Sequence, residues 1–294
     1  MSHWGLFTNS LGKMLHPVLW VYGLLIALAS SGVAALLINS LLLANPATLT
    51  AQTLRTSLTP VLVLFVILSA IGFVFSTFGD AAVIYLVNKL EQRERITLSM
   101  GLDAGEKIFQ LLVVRVILAL PNIVAVIAAL WLIFAPLLSR NQALPSNLLS
   151  SMFAGLCGAI LLVTLINLAI SAITVGAERA IVLEKMSIGG ALAQGWMLLF
   201  TQLGDFLIIG LIFLGLSFAL GLIFACAIQP VLALIVGSSL RSGGAAVSSF
   251  LALMLVGGLI VSALASILTT SVWTLAYRQW RAAHLPAPLV DEFA

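Results

Sequence analysis

The chain has 294 residues, 62% of them apolar and 8% charged, with a mean hydropathy of +1.21 and a net charge of +3. A soluble domain is about 45–50% apolar and about 25% charged, so this composition excludes a water-soluble globule, a secreted disulfide scaffold and a disordered chain. It predicts an all-α polytopic membrane protein; the pI near 9.1 reflects scarce charges rather than a basic face, and no nucleic-acid partner is expected.

In chain order, the N-terminal region carries Lys13 as its one basic residue ahead of a long apolar run. That run exceeds the ~7–15 residues of a signal-peptide core and reads as the first membrane helix. A membrane helix needs about 20 mostly apolar residues. Six segments qualify: 17–43, 59–88, 111–138, 147–177, 204–236 and 246–277. Pro17 and Pro60 stand at the starts of runs, where the missing N–H costs nothing. Pro121 and Pro230 lie inside runs and predict kinks. The segments near 44–58, 139–147 and 237–245 are rich in Asn, Ser, Thr, Gly and Pro and read as outer loops. The tail 282–294, with Pro286 and Pro288, is expected to be mobile.

Orientation follows from the basic residues. Ten of them (Lys13, Lys89, Arg93, Arg95, Lys107, Arg115, Arg179, Lys185, Arg278 and Arg281) fall on one side, and Arg55, Arg140 and Arg241 on the other. Both termini are therefore expected to be cytoplasmic. Cys157, Cys226 and the histidines His3, His16 and His284 have no metal-ligand spacing, and no cofactor is implied.

The chain contains an internal repeat. Residues 97–105 align with 187–195 at an offset of 90, Lys89 aligns with Arg179 and Glu94 with Glu184, and Gly12 aligns with Gly105 at an offset of 93. The predicted architecture is six membrane helices in three pseudo-repeated hairpins, about 1–96, 97–186 and 187–281, each opened by a short interfacial helix. Over 97–110, Leu98, Leu102, Gly105 and Phe109 share one face and Asp103, Glu106, Lys107 and Gln110 the other, the pattern of a helix lying in the interface; the other reading is the first turns of a long membrane helix. In the copy at 187–200, Trp196 is the expected interfacial anchor. Ser69, Gly72, Ser76 and Gly79, and likewise Gly258, Ser262, Ser266 and Thr270, form small-residue stripes that allow close helix approach.

The stretch Val182-Leu183-Glu184-Lys185-Met186-Ser187-Ile188, followed by Ala191-Leu192 and Gly195-Trp196-Met197-Leu198, carries a family resemblance. So do Tyr85-Leu86-Val87 and the ending Leu275-Ala276-Tyr277-Arg278-Gln279-Trp280-Arg281. They resemble the membrane domain of bacterial glycerophosphoryl diester phosphodiesterases and related stand-alone bacterial membrane proteins. The resemblance implies a module of the bacterial cytoplasmic membrane. The diesterase activity of the multidomain relatives resides in a separate soluble domain with no counterpart here, so no enzyme activity carries over.

Ionisable groups inside spans are costly and often functional. Asp80, Arg115 and Asp205 are the candidates for an intramembrane polar site; Arg115 and Asp205 occupy equivalent repeat positions, with Tyr22 as the first-repeat counterpart. An Arg115–Asp205 ion pair is one reading, and side chains reaching to the interface are the other. The connections holding Lys89, Arg93 and Arg95, and Glu178, Arg179, Glu184 and Lys185, read as solvated helix ends. With Lys107, Trp196, Arg278 and Arg281 they form the candidate lipid or partner contacts. No phosphate loop, H-E-x-x-H or G-x-S-x-G motif is present. The expected function is a non-catalytic accessory or scaffold subunit that binds lipid and membrane proteins; the alternative is a transporter or lipid-handling protein with a polar path between repeats.

Overall fold

The computed structural model describes the backbone of residues 3–32, 51–138, 148–242 and 245–284, and the side chains of 3–30, 63–131, 155–222, 226 and 255–283. The described residues are helical almost throughout, with no strand among them. Helix α1 (His3–Met14) is followed by α2 (Pro17–Ala27), which ends in a π turn, Leu28–Gly32. Helix α3 (Ala51–Glu91) precedes the short α4 (Leu98–Asp103). A 3-10 turn, Ala104–Lys107, leads into α5 (Ile108–Leu138). Then come α6 (Leu148–Glu184), α7 (Ile188–Thr201), α8 (Leu203–Ser242) and α9 (Ala245–His284).

Among the described residues five helices are long and apolar enough to cross a membrane: Val63–Glu91, Leu98–Trp131, Gly155–Glu184, Leu203–Leu222 and Leu255–Ala283. The pair formed by His3–Met14 and Pro17–Ser30 is a sixth if its 96° bend belongs to one span. The bend has a local cause. His16 precedes a proline, which disfavours helical backbone at that position, and it is extended (φ −74°, ψ 124°) with Nδ1 accepting from Val18 N–H. Pro17 then starts α2, where its missing donor costs nothing. The expected spans and the structure differ at their ends: residues 51–58, expected in an outer loop, are the first turns of α3, and 237–242 continue α8. The remaining loop residues 44–50, 139–147 with Arg140, and 243–244 lie outside the described residues, as does the tail from 285.

The chain divides into two compact units, Met1–Ile108 with Leu207–Ala294, and Phe109–Phe206. In the first, Leu19, Tyr22 and Ile26 of α2 pack with Ala82, Val83, Leu86 and Val87 of α3, with Ile96, and with Ile267 of α9. The small-residue stripe of α3 lies against α2. A Cβ at Gly79 would come 2.5 Å from Ile26 Cγ1, and one at Gly72 would strike the Ala29 carbonyl. Aromatic rings link α1, α8 and α9 through Phe7–Phe213 (5.1 Å between centroids), Phe213–Trp273 (6.2 Å) and Trp273–Trp280 (6.2 Å).

Burial along α3 is one-sided in length. Ala81–Ile84, Leu86 and Val87 are buried, whereas Val63, Leu64, Phe65, Val66 and Ile67 are exposed in succession, on every side of the helix. Five consecutive exposed apolar side chains suit hydrocarbon as solvent, not water.

In the second unit α6 and α7 cross at glycines. A Cβ on Gly176 would sit 2.7 Å from Gly195 Cα, and one on Gly195 would strike the Ile173 carbonyl oxygen. Around this contact Ala172, Ala177, Ala180, Ile181, Ala191 and Leu198 are buried. Ser187 caps α7, its hydroxyl accepting from Gly190 N–H at 3.4 Å.

The segment 97–110 departs from the expected free-standing helix: α4 has six residues and passes through the 3-10 turn directly into α5. Gly101 and Ala104 face inward, and Leu98, Leu102 and Phe109 face outward. Tyr22 fixes this segment, donating its hydroxyl to the Leu98 carbonyl at 2.7 Å and filling the space beside Gly101.

Candidate functional site: charge pairs at the basic helix ends

Charged side chains of the described residues meet in pairs, some at helix ends and some within helices. In the second unit Arg115, on the second turn of α5, meets Glu178 of α6. Nε and Nη2 of Arg115 both lie 2.6 Å from Glu178 Oε1, with side chains 16% and 8% exposed. Arg179 adds a second guanidinium, Nη1 standing 3.6 Å from Glu178 Oε2 and donating to the Val175 carbonyl at 3.1 Å. One carboxylate is thus shared by two guanidiniums, Arg179 buried and Arg115 half-buried. Seven residues further along α5, Asn122 Nδ2 donates to Asn167 Oδ1 of α6 at 2.7 Å. An amide pair inside apolar spans is held because an unsatisfied amide in hydrocarbon is costly.

In the first unit Lys13, in the last turn of α1, pairs with Glu91, the last residue of α3. Lys89 pairs with Glu94 at 2.9 Å and lies over the Tyr85 ring, 5.8 Å from its centroid. Arg278 of α9 donates Nη1 to the Asn88 carbonyl at 3.4 Å. Helix α3 closes with Arg93 in the left-handed region (φ 61°), Arg93 N–H donating to the Leu90 carbonyl and Glu94 N–H to the Lys89 carbonyl. This is a Schellman cap with arginine where glycine is usual. Helix α6 closes in the same way at Lys185 (φ 56°), its bond one residue wider, from Met186 N–H to the Ala180 carbonyl. In both, a cation sits at the negative end of the helix dipole.

The three residues expected to form an intramembrane site are divided between the units. Asp80 lies on α3, half-buried, in the first; Arg115 and Asp205, the latter in the first turn of α8, belong to the second. The structure pairs Arg115 with Glu178, which the sequence reading put on a solvated connection. That reading also needs correction at Arg179, expected as a lipid or partner contact. It is 3% exposed and faces the interior. The physical reason is visible in hindsight: Ala180-Ile181-Val182-Leu183 continue the apolar run beyond the charges, so Glu178 and Arg179 stand inside the packed part of α6 rather than at its end. Arg93, Arg95 and Lys185 are exposed, Lys89, Lys107, Arg278 and Arg281 are half-buried, and Trp196 is exposed. The Lys13–Glu91 and Asn122–Asn167 pairs were not anticipated from sequence.

Among the described residues no three His, Cys, Asp or Glu side chains come together as a metal site. Comparisons with family models, curated proteins and solved structures find no match.

Proposed function

We infer that the chain is a non-catalytic integral membrane module of a bacterial cytoplasmic membrane, an accessory or scaffold subunit that holds lipid and membrane-protein partners at the basic ends of its helices. The observation that carries this reading is the 96° bend between α1 and α2. If α2 crosses the bilayer, α1 lies along its surface. Trp4, Leu11 and Leu15 then form an outward apolar edge, and the one hydroxyl on that edge, Thr8, is satisfied by the Trp4 and Gly5 carbonyls of its own helix. Similar outward edges occur at Leu98, Leu102 and Phe109, and at Trp196 and Phe200, whose rings meet edge-on at 5.5 Å. Three such edges at the openings of the three aligned segments support three pseudo-repeated hairpins with interfacial helices, and α3 and α6 both close in left-handed residues, Arg93 and Lys185, just before the second and third of them. The bias of ten basic residues against three supports cytoplasmic termini, and the resemblance to bacterial diesterase membrane domains supports the bacterial setting.

The transport alternative draws on the Asn122–Asn167 pair, a polar contact within two spans. It gives the helices a reason to associate without providing a path, and packing alone accounts for it.

Two measurements test the reading. Spin labels at positions 4, 8, 11 and 15, in a background with Cys157 and Cys226 replaced by Ser, report depth in vesicles. An interfacial α1 gives equal depths, whereas a helix running along the membrane normal would spread positions 4 and 15 over about 16 Å at ~1.5 Å per residue. Purification from native membranes in mild detergent, with mass spectrometry of co-migrating proteins, is expected to return a stoichiometric membrane partner. A chain that travels with no protein partner refutes the subunit role.

A further inference from the structure

The first unit contains a cleft of about 190 Å³ lined by Leu6, Asn9, Glu91, Leu275, Arg278 and Gln279. It lies where α1, α3 and α9 meet, at the ends of two candidate spans. Its charges are unequal. Glu91 is matched by Lys13. Arg278 has a long bond to a neutral carbonyl, and among the described residues no carboxylate is within ion-pairing distance of it. The cleft thus presents one surplus guanidinium, with a carboxylate across from it, two amide side chains, and leucines on α1 and α9. Pockets for drug-sized ligands run to about 300–1,000 Å³. At ~30 Å³ per water, this cleft holds the equivalent of about six waters, enough for a small charged group and too little for a whole lipid or a large substrate.

We propose that this cleft binds the head group of a zwitterionic phospholipid, its phosphodiester on Arg278 and its amine at Glu91, with the acyl chains left outside. The planar guanidinium fork suits a phosphate. Lys13 holds Glu91 through Oε2, which leaves Oε1 to accept from an ammonium, and a zwitterionic head group uses both this oxygen and the surplus guanidinium. Leu6 and Leu275 provide apolar walls for the glycerol. This rests on the lipid-binding part of the function proposed above and adds to it a single place and a lipid class.

The test is native mass spectrometry of the full chain in mild detergent with added phosphatidylethanolamine, phosphatidylglycerol or inorganic phosphate. The wild type is expected to retain one phosphatidylethanolamine in preference to phosphatidylglycerol, undisturbed by phosphate. Arg278→Gln should weaken retention at least tenfold. Glu91→Gln, which also releases Lys13, should reverse the preference towards phosphatidylglycerol. Asn9→Phe fills the cleft while leaving both charges in place; it should abolish retention and keeps the test decisive if Arg278→Gln does not fold. Unchanged retention in Arg278→Gln or Asn9→Phe overturns the site while leaving lipid binding in general standing. Equal retention of both lipids by the wild type overturns the zwitterionic assignment, and displacement by inorganic phosphate makes this a free-phosphate site. A wild type that retains no lipid defeats both the site and the broader reading.

Discussion

Replacing Glu178 by Gln removes the carboxylate shared by Arg115 and Arg179. At an effective dielectric of about 20, the gross attraction is about 6 kcal/mol across 2.6 Å and about 5 kcal/mol across 3.6 Å. Desolvation cancels much of this while the carboxylate is present, but the cost of burying the cations remains once it is gone. Breaking a buried pair from one side costs about 3–5 kcal/mol in soluble proteins. Arg115→Gln should cost less than Glu178→Gln, because Arg179 stays beside the carboxylate. Replacing both partners, Arg115→Met with Glu178→Met, should fall below the sum of the single changes. Monodispersity after heating in mild detergent measures this; at ~2–4 °C per kcal/mol, Glu178→Gln should lose at least about 5 °C. A Glu178→Gln protein that melts with the wild type, or an Arg115→Gln protein that melts below it, would refute the shared-carboxylate argument.

Gly195→Ala places a methyl group against the Ile173 carbonyl and should separate α6 from α7 at a cost of about 1–3 kcal/mol; cross-linking of cysteines placed along the two helices would register the loss, and unchanged cross-linking would contradict the close crossing. Lys185→Gly relieves a left-handed lysine and should raise stability by up to about 1 kcal/mol, less whatever the helix dipole loses; a clear drop in melting temperature would show that the lysine side chain matters more than its backbone. A double-mutant cycle of Asn122→Leu and Asn167→Leu should give a coupling of about 0.6–1.7 kcal/mol, the range of hydrogen bonds between membrane helices; additive single effects would remove the bond from the account of α5–α6 pairing.

Much of the architecture was legible because the signals are local. Apolar run length gives the spans, Pro17 the start of α2, and the spacing of Gly72 and Gly79 a face of α3 open to close approach; that α2 fills it is seen only in the structure. The repeat alignment set Thr97 and Ser187 in register, and each directly precedes a helix. The polar pairs were not legible. Arg115–Glu178, Asn122–Asn167 and Lys13–Glu91 join residues 63, 45 and 78 positions apart. Which turn of one helix faces which turn of another depends on helix register, and no local pattern records that. The segment 97–110 misled for a related reason. Its periodicity separates apolar from polar side chains correctly, but the inward face is made by Gly101 and Ala104 beside Tyr22, and the larger residues face out.

The first unit joins two segments far apart in sequence, Met1–Ile108 and Leu207–Ala294. Leu6 of α1 and Leu275 of α9 line the same cleft, and the α2 residues Leu19, Tyr22 and Ile26 share their core with Ile267. During synthesis the first helices therefore wait for the last. At about 5–20 residues per second, Leu275 emerges roughly 13–55 s after Leu6. For that interval α1 has no α9 to dock on, and its exposed Trp4, Leu11 and Leu15 would be its hold on the membrane surface. With α1 on the membrane surface, as proposed above, its outward face would hold it there during assembly, and the unit would close only after Leu275 has been made.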